Sequence, residues 1–169
     1  MTNKELKIAY VEYDSVEQMD EQGRKLAMAA IEAMKLSYAP YSEFNVGAAV
    51  MLENGEIIQG SNQENSAYPS GICAERTAMF YASSSNPDKA MTGIAIAGGL
   101  KGTMAPRPVT PCGACRQVMA QYQTKSCRNM RVILVGADKI WSFEKVDDLL
   151  PFNPKHLRLI RTGYTVPRS

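Results

Sequence analysis

A chain of 169 residues has room for one domain of ordinary size and not for two cores joined by a linker. Its 45% apolar and 21% charged residues are typical of a globular protein and exclude collagen-like, coiled-coil and disordered classes. The formal net charge of +2 gives no electrostatic reason to expect a nucleic-acid partner. No apolar run approaches the roughly 18 residues of a membrane helix, and the first residues lack a secretory apolar segment, so we expect a cytoplasmic protein without a membrane partner.

The predicted elements alternate between helices and strands, which indicates an α/β protein. Apolar residues at helical spacing predict a long helix over residues 15–36. Two extended runs, 45–52 and 56–61, flank Asn54-Gly55, the pair most favoured in a two-residue hairpin turn. Further along the chain the pattern predicts helices at 73–83 and 112–122, strands at 91–98, 131–136 and 139–143, and a helical turn at 146–150. Together these predict helices packed on a sheet.

Two cysteine clusters carry the chemistry: Cys73-Ala74-Glu75, and Cys112-Gly113-Ala114-Cys115 after Pro111. Each cluster follows a loop with Pro or Gly and opens a predicted helix, where the positive end of the helix dipole stabilises a thiolate. Cys112 and Cys115 are three residues apart and share one helix face, so both can bind one metal ion, with Cys73 as a third ligand. Glu75 lies two residues beyond Cys73 and is predicted beside the ion rather than on it. Three protein ligands are typical of catalytic zinc.

Two other interpretations of the cysteines remain open at this point. Cys112 and Cys115 form a C-x-x-C pair that could be redox-active, although this does not explain a separate Cys-x-Glu at another helix start. A closed structural zinc site would need a fourth ligand, for which the chain offers Cys127 and His156. Cys127 lies in a polar loop and His156 in a basic tail, without ligand spacing to the clusters.

Four segments resemble, in order and spacing, the sequence blocks of the zinc-dependent cytidine deaminases: residues 40–49, 60–65, 73–78 and 111–117. The resemblance covers about residues 26–150, and its three-cysteine form is similar to the small free-nucleoside enzymes, which are homotetramers. It implies a three-layer α/β/α sandwich around a mixed sheet of about five strands, with one Zn²⁺ per chain. We expect residues 1–154 to form this domain and residues 155–169 to be a basic tail of unassigned role.

The resemblance also implies an activity, the hydrolytic deamination of cytidine or deoxycytidine to uridine or deoxyuridine and ammonia in pyrimidine salvage. Zinc-bound hydroxide would attack C4 of the pyrimidine while Glu75 shuttles the protons. Arg76, next in the block, would withdraw charge from the three thiolates that bind the ion. Two alternatives are a deaminase of another aminated pyrimidine nucleoside, such as a nucleoside antibiotic, and a non-catalytic zinc-binding module.

Substrate contacts are implied by the same blocks. Asn62 and Glu64 would hold a ribose hydroxyl, because an amide and a carboxylate suit a sugar alcohol better than a phosphate. Phe44 would pack on the base, although core packing at a strand start explains it equally well. The Ala74 backbone would donate to the pyrimidine carbonyl, and Tyr68 could line the pocket. The family's C-terminal Phe, which reaches a neighbouring subunit's site, is left in doubt because Phe152 follows Pro151 directly.

Overall fold

The computed structural model describes residues 1–153, which form three α-helices and six β-strands. The helices are α1 (Glu21–Ala33), α2 (Ala74–Ser85) and α3 (Gly113–Ser126). The strands are β1 (Val11–Tyr13), β2 (Phe44–Leu52), β3 (Ile57–Ser61), β4 (Met91–Leu100), β5 (Arg131–Val135) and β6 (Ile140–Phe143). Within the described part of the chain, no helix is long and apolar enough to cross a bilayer. The predicted basic tail, with His156, lies outside the described residues.

The strands form one sheet in the order β1-β6-β5-β4-β2-β3. Strands β4 and β5 are parallel and every other neighbouring pair is antiparallel, so the sheet is mixed. Helix α1 packs on one face through Leu26, Ala27 and Ala30. Helices α2 and α3 pack on the other face, where Ala78 and Met119 lie in the second core cluster. The predicted three-layer α/β/α sandwich is therefore confirmed.

The sheet has six strands rather than about five, and the additional strand, β1, was not among the predicted elements. This strand has only three residues and pairs with the edge of β6, with Val11 opposite Ser142 and Tyr13 opposite Ile140. Just before it, the ring of Tyr10 lies with its centroid 5.6 Å from that of Trp141 and 5.4 Å from that of Phe143. Because contacts with residues far along the chain define β1, no local sequence pattern predicted this strand.

Two glycines let the helices approach the sheet closely. A Cβ atom added to Gly47 on β2 would lie 2.2 Å from the carbonyl oxygen of Ala30 in α1. On the opposite face, a Cβ atom on Gly60 of β3 would lie 2.4 Å from the backbone nitrogen of Ala78 in α2. Side chains at these positions would push both helices outward, so the glycines set the thickness of the sandwich.

The hairpin between β2 and β3 is confirmed, but its loop is longer than the predicted two-residue turn. The Leu52 carbonyl accepts a hydrogen bond from the Gly55 N–H at 2.8 Å, and the Leu52 N–H donates to the Glu56 carbonyl at 2.9 Å. Residues 53–55 therefore form a three-residue loop. Gly55 has φ = +85°, the conformation that glycine adopts at the last position of such loops.

The long helix predicted over residues 15–36 is divided in the structure. A 3₁₀ turn (Val16–Gln18) is followed by a break at Asp20, then α1, then a second 3₁₀ turn (Met34–Leu36). The Asp20 side chain accepts a hydrogen bond from the Gly23 N–H at 2.8 Å and so begins α1 as its N-cap. Apolar periodicity continues across this break, which is why the pattern alone predicted one helix.

Candidate active site

Helices α2 and α3 both begin at a cysteine. Cys73 is the N-cap of α2 and Cys112 is the N-cap of α3, and neither side chain makes a capping hydrogen bond. Cys115 lies on the first turn of α3. The Sγ atoms of these three residues lie within 4.8 Å of one another, and this is the one such metal-ligating group found among residues 1–153. The fold therefore brings together the three predicted ligands from two separate clusters.

The donor set fits one zinc ion. Sulfur ligands lie about 2.3 Å from zinc, so in a tetrahedral site two of them are about 3.8 Å apart, and this separation falls within the 4.8 Å that encloses the three Sγ atoms. Both helix starts present their positive dipole ends to the sulfurs, which favours the thiolate form that binds metal. Cys127 follows the last residue of α3, and because it is 12 positions beyond Cys115, about 18 Å along the helix separate the two. Cys127 is thus excluded as a fourth ligand, while His156 lies outside the described residues.

The thiols influence one another strongly. A hydrogen bond from the Cys115 thiol lowers the pKa of Cys73 to about 5, with a further contribution from the Arg76 guanidinium. The same hydrogen bond and burial raise the pKa of Cys115. Cys73 is half-buried, Cys115 is buried and Cys112 is exposed. Negative charge in the cluster is therefore most stable on the Cys73 sulfur, where a guanidinium faces it.

The side chain of Arg76, on the first turn of α2, reaches back to Cys73, the N-cap of that helix. Its Nη2 donates to the Cys73 Sγ at 3.5 Å, and the negative charge that this sulfur can carry raises the pKa of Arg76. The Nε of Arg76 is buried and has no hydrogen-bond partner among the described residues. The guanidinium thus remains at the sulfur although one of its N–H groups is unsatisfied.

Glu75 lies beside the thiol cluster and is only 5% exposed. Burial raises the pKa of its carboxyl, the negative charge of Cys73 raises it further, and a hydrogen bond with the Cys115 thiol opposes this. The carboxyl is not part of the three-sulfur group. The structure therefore places an acid next to the three predicted metal ligands, at the one position of α2 where the sequence predicted it.

A cleft of about 650 Å³ opens beside the cysteines. Five predicted site residues are among the thirteen that line it, namely Asn62, Glu64, Tyr68, Cys73 and Arg76. Tyr68 lies in a 3₁₀ turn and is 93% exposed, so it stands at the rim of the cleft rather than inside it. The cleft joins candidate substrate contacts from the segment after β3 to the start of α2.

Asn62 and Glu64 are held in place by hydrogen bonds. The Asn62 Oδ1 accepts from the Val46 N–H at 2.8 Å and from the Ser37 hydroxyl, and its Nδ2 donates to the Phe44 carbonyl at 2.9 Å. The Glu64 Oε2 accepts from the Tyr41 N–H at 2.9 Å, and its Oε1 accepts from the Ser42 hydroxyl. These bonds, the Ser42 hydroxyl above all, hold the pKa of Glu64 below its usual value.

The structure does not bring every predicted contact to the surface of the cleft. Phe44 and Ala74 are not among its lining residues. Phe44 is half-buried at the start of β2, with a ring carbon 3.3 Å from where a Cβ of Gly98 would lie, and Ala74 is fully buried. Phe152 is 90% exposed. Ser42, a polar residue within the segment 40–49, lines the cleft but was not among the predicted site residues.

These features define an α/β protein with three clustered cysteines at two helix starts, a donor set that fits zinc. The family model described as "Cytidine and deoxycytidylate deaminase zinc-binding region" matches residues 20–130. This match covers more than half of the 169 residues and includes the three clustered cysteines. The chain therefore belongs to the family of cytidine and deoxycytidylate deaminases, and zinc is its metal.

Individual relatives and solved structures agree with this family. The chain is 47% identical to a cytidine deaminase of Halalkalibacterium halodurans over 103 residues, which is 61% of this chain and 72% of the relative. A cytidine deaminase of Sporosarcina psychrophila is 45% identical over 98 residues, 58% and 68% of the two chains. The crystal structure of cytidine deaminase from Burkholderia pseudomallei superposes with a TM-score of 0.66 at 35% identity, covering 80% of this chain and 99% of that one. The crystal structure of cytidine deaminase from Mycobacterium tuberculosis superposes with a TM-score of 0.63 at 27% identity, covering 80% of this chain and 98% of that one.

Proposed function

We propose that this chain catalyses the hydrolytic deamination of cytidine and deoxycytidine to uridine and deoxyuridine, with release of ammonia, in pyrimidine salvage. The observation that carries the proposal is the grouping of three thiols at two helix starts with the buried carboxyl of Glu75 beside them. Supporting it, the relatives with the similarities given above are cytidine deaminases. Because the reaction adds water and removes ammonia, it needs an activated water and a group that moves protons.

Cys73, Cys112 and Cys115 are proposed as the zinc ligands. When bound there, zinc would supply Lewis acidity and lower the pKa of a water molecule from its bulk value towards about 7. Three thiolates carry one charge more than a divalent ion neutralises. The Arg76 guanidinium, 3.5 Å from the Cys73 Sγ, and the positive ends of α2 and α3 offset this charge.

Glu75 is proposed as the proton shuttle because its carboxyl lies beside the ligands without joining them. In this role the carboxylate accepts a proton from the attacking water and delivers it to N3 of the pyrimidine while the oxygen adds to C4. The carboxylate then takes the remaining proton from the added oxygen and passes it to the 4-amino nitrogen, so that the C4–N bond breaks, ammonia leaves and a C4 carbonyl forms. Enclosure at 5% exposure keeps bulk water from competing for these protons.

Asn62 and Glu64 are proposed to bind a ribose hydroxyl together. One of the two Asn62 amide hydrogens remains after the bond to Phe44, and it can donate to the hydroxyl oxygen. The Glu64 carboxylate accepts three hydrogen bonds from Tyr41 and Ser42, and a carboxylate offers about four acceptor positions. The remaining position can accept the proton of the same hydroxyl. Ser42 and Tyr41 thus aim the carboxylate at the sugar.

We propose three further contacts. Phe44, half-buried at the edge of β2, would support the base, and the Ala74 backbone at the first turn of α2 would bind the pyrimidine carbonyl. Tyr68 would cover the cleft from its exposed position at the rim.

The charges of the cleft favour a nucleoside over a nucleotide, although the family includes enzymes for both. Arg76 is the one cationic side chain among the thirteen lining residues, and its Nη2 faces the Cys73 sulfur. Glu64 adds negative charge near the proposed ribose position. A phosphate would therefore meet an anion without a free cation to balance it. We propose a free nucleoside as the substrate.

Ultraviolet difference spectra test this function directly. The zinc-loaded protein would be mixed with cytidine, deoxycytidine, deoxycytidine monophosphate and other aminated pyrimidine nucleosides, and ammonia would be measured in parallel. We expect the absorbance of the cytosine ring to fall for both natural nucleosides, with one ammonia released per ring converted. Faster turnover of the monophosphate would contradict the nucleoside assignment. No turnover by fully zinc-loaded protein would leave a zinc-binding module.

A homotetramer and a cytoplasmic location complete the proposal. Exposed aromatic side chains, Phe80 and Tyr81 on α2 and Tyr68 at the cleft, support association of copies through this side of the molecule. The cysteines are free thiols, and a reducing compartment keeps such ligands available for metal. Light scattering is expected to return the mass of four chains, and a fully active monomer would contradict the assembly. We also propose the division into a domain over residues 1–154 and a tail over 155–169.

A further inference from the structure

Arg116 joins the segment that carries Cys112 to a distant part of the chain. Its Nε donates to the Pro111 carbonyl at 2.9 Å, and its Nη1 donates to the Leu149 carbonyl at 3.2 Å. Its own backbone N–H donates to the Cys112 carbonyl at 3.0 Å. One guanidinium therefore links the residue immediately before Cys112 with Leu149, which lies 33 positions beyond Arg116.

The hydrogen-bond partners of Arg116 indicate that its guanidinium holds two backbone segments in a fixed arrangement. Both acceptors of its side chain are backbone carbonyls, and none of the ion pairs between residues 1–153 includes Arg116. A planar guanidinium donates in fixed directions, so two carbonyls bonded to it are held at a set separation and angle. Because the donor is charged, these hydrogen bonds are stronger than those between neutral groups.

Cys112 is the ligand with the least support from packing. It is exposed, whereas Cys115 is buried in the core beside α2 and Cys73 is half-buried against Arg76. As an N-cap without a capping hydrogen bond, the Cys112 side chain is not held by its own helix either. The orientation of its thiol therefore depends on the backbone of Pro111 and Cys112, which Arg116 bonds on both sides.

We propose that Arg116 is a positioning residue that holds the Pro111–Cys112 backbone, and with it the Cys112 sulfur, in the geometry that binds zinc. The proposal rests on the ligand set given under the proposed function. Loss of partners that orient metal ligands typically costs about 10- to 100-fold in metal affinity or activity. Arg116 should act on zinc retention and on turnover, and should leave substrate affinity unchanged because it does not line the cleft.

Zinc release to excess chromogenic chelator tests the proposal, with Arg116→Met and Arg116→Lys as variants. Gln123→Met is the matched control: Gln123 lies on the same helix, is buried, and its Oε1 accepts from the Met130 and Val146 N–H groups. That variant should lower Tm without approaching the thiols. We expect about tenfold faster zinc release from Arg116→Met. Arg116→Lys should release zinc at an intermediate rate, because one ammonium does not reproduce the two fixed donor directions of the guanidinium. Gln123→Met should release zinc as slowly as the unmodified protein.

Steady-state kinetics at full zinc occupancy provide the second readout. A lower kcat with unchanged KM in Arg116→Met supports positioning of the zinc site. Release from both Arg116 variants within twofold of the unmodified protein overturns the proposal, and so does equal acceleration in Gln123→Met, since loss of stability would then explain the effect. If Arg116→Met does not fold, the rate of Arg116→Lys decides alone. Failure of the ligand set itself is seen separately, as a Cys112→Ala protein that retains its zinc.

Discussion

The three α-helices in the described part of the chain begin in two different ways. Helix α1 begins at Asp20, whose carboxylate caps the Gly23 N–H and also pairs with the Arg131 guanidinium. Helices α2 and α3 begin at Cys73 and Cys112, whose side chains make no capping bond. A good N-cap stabilises a helix by about 1 kcal/mol, so the latter two helices lack a contribution that α1 has.

The capped helix start serves stability, whereas the two uncapped helix starts serve the metal site. At α1 the Asp20 carboxylate balances the positive end of the helix dipole and accepts a hydrogen bond from one of its first N–H groups. At α2 and α3 the first-turn N–H groups and the helix dipoles remain directed at the three clustered sulfurs, where they favour the thiolate. Stability that a cap would provide to the metal-free chain is instead available only when the thiolates bind metal.

Removing a sulfur should have the largest effect. Cys115→Ala takes away the buried thiol between the two helix starts, so we expect purified protein with less than a tenth of the zinc of the unmodified chain and no measurable deamination. Metal analysis by atomic emission measures this loss.

The control for this change lies at the other end of the same helix. Cys127→Ala alters an exposed cysteine in the left-handed conformation that ends α3, with φ = 51°. Both zinc content and activity should match the unmodified protein. Loss of zinc from Cys127→Ala, or full zinc in Cys115→Ala, would contradict the three-sulfur site.

Glu75→Gln should come next in size. The amide keeps the shape and much of the hydrogen bonding of the carboxyl but cannot carry protons, and general acid–base catalysis by one group is worth about 10²- to 10⁴-fold. Because Glu75 is proposed to serve several transfers, kcat should fall by about 10³- to 10⁴-fold while zinc content stays unchanged. Activity within a few-fold of the unmodified enzyme at full zinc would exclude the shuttle role.

Asp20→Ala should lower the free energy of unfolding by about 1 kcal/mol, because it removes the cap of α1. The Gly23 N–H, helped by Arg131, holds the pKa of Asp20 below the usual 3.8. The stabilisation is therefore complete above the unfolded value and is lost as pH falls through the folded value. Urea unfolding at pH 7 and pH 3 should show a smaller difference between the two proteins at the lower pH. Asp88→Ala, an exposed acid without a hydrogen bond or ion pair in the described chain, is the control.

The smallest effect tests the comparison of helix starts directly. Serine is a favoured N-cap, so Cys112→Ser should stabilise the zinc-free protein by a few tenths to 1 kcal/mol. The same change should weaken zinc binding, since zinc favours a thiolate over a hydroxyl. Thermal unfolding with and without chelator measures both signs. Destabilisation of the zinc-free protein would mean that the α3 start has no unused capping capacity.

Local signals explain what was predictable. Asn54-Gly55 marked the hairpin because only a few residue pairs suit such a turn, and the β-branched run at 131–135 marked a strand. The two cysteine clusters indicated a metal site since the spacing of Cys112 and Cys115 places both on one helix face. In each case the physical cause acts over a few neighbouring residues, so the local sequence is enough to predict the feature.

Long-range contacts decided the rest. Strand β1 exists because Tyr10 and Glu12 meet Trp141 on β6, and the carboxylate of Glu64 is aimed by Ser42, 22 residues earlier. The link from Arg116 to Leu149 likewise joins parts of the chain that share no local pattern. The sequence by itself therefore determined the α/β class, the zinc chemistry and the acid beside it, through short-range rules of turn, helix face and ligand type. Only the tertiary structure decided which side chains hold those groups in position, because such partners are chosen by packing between distant segments.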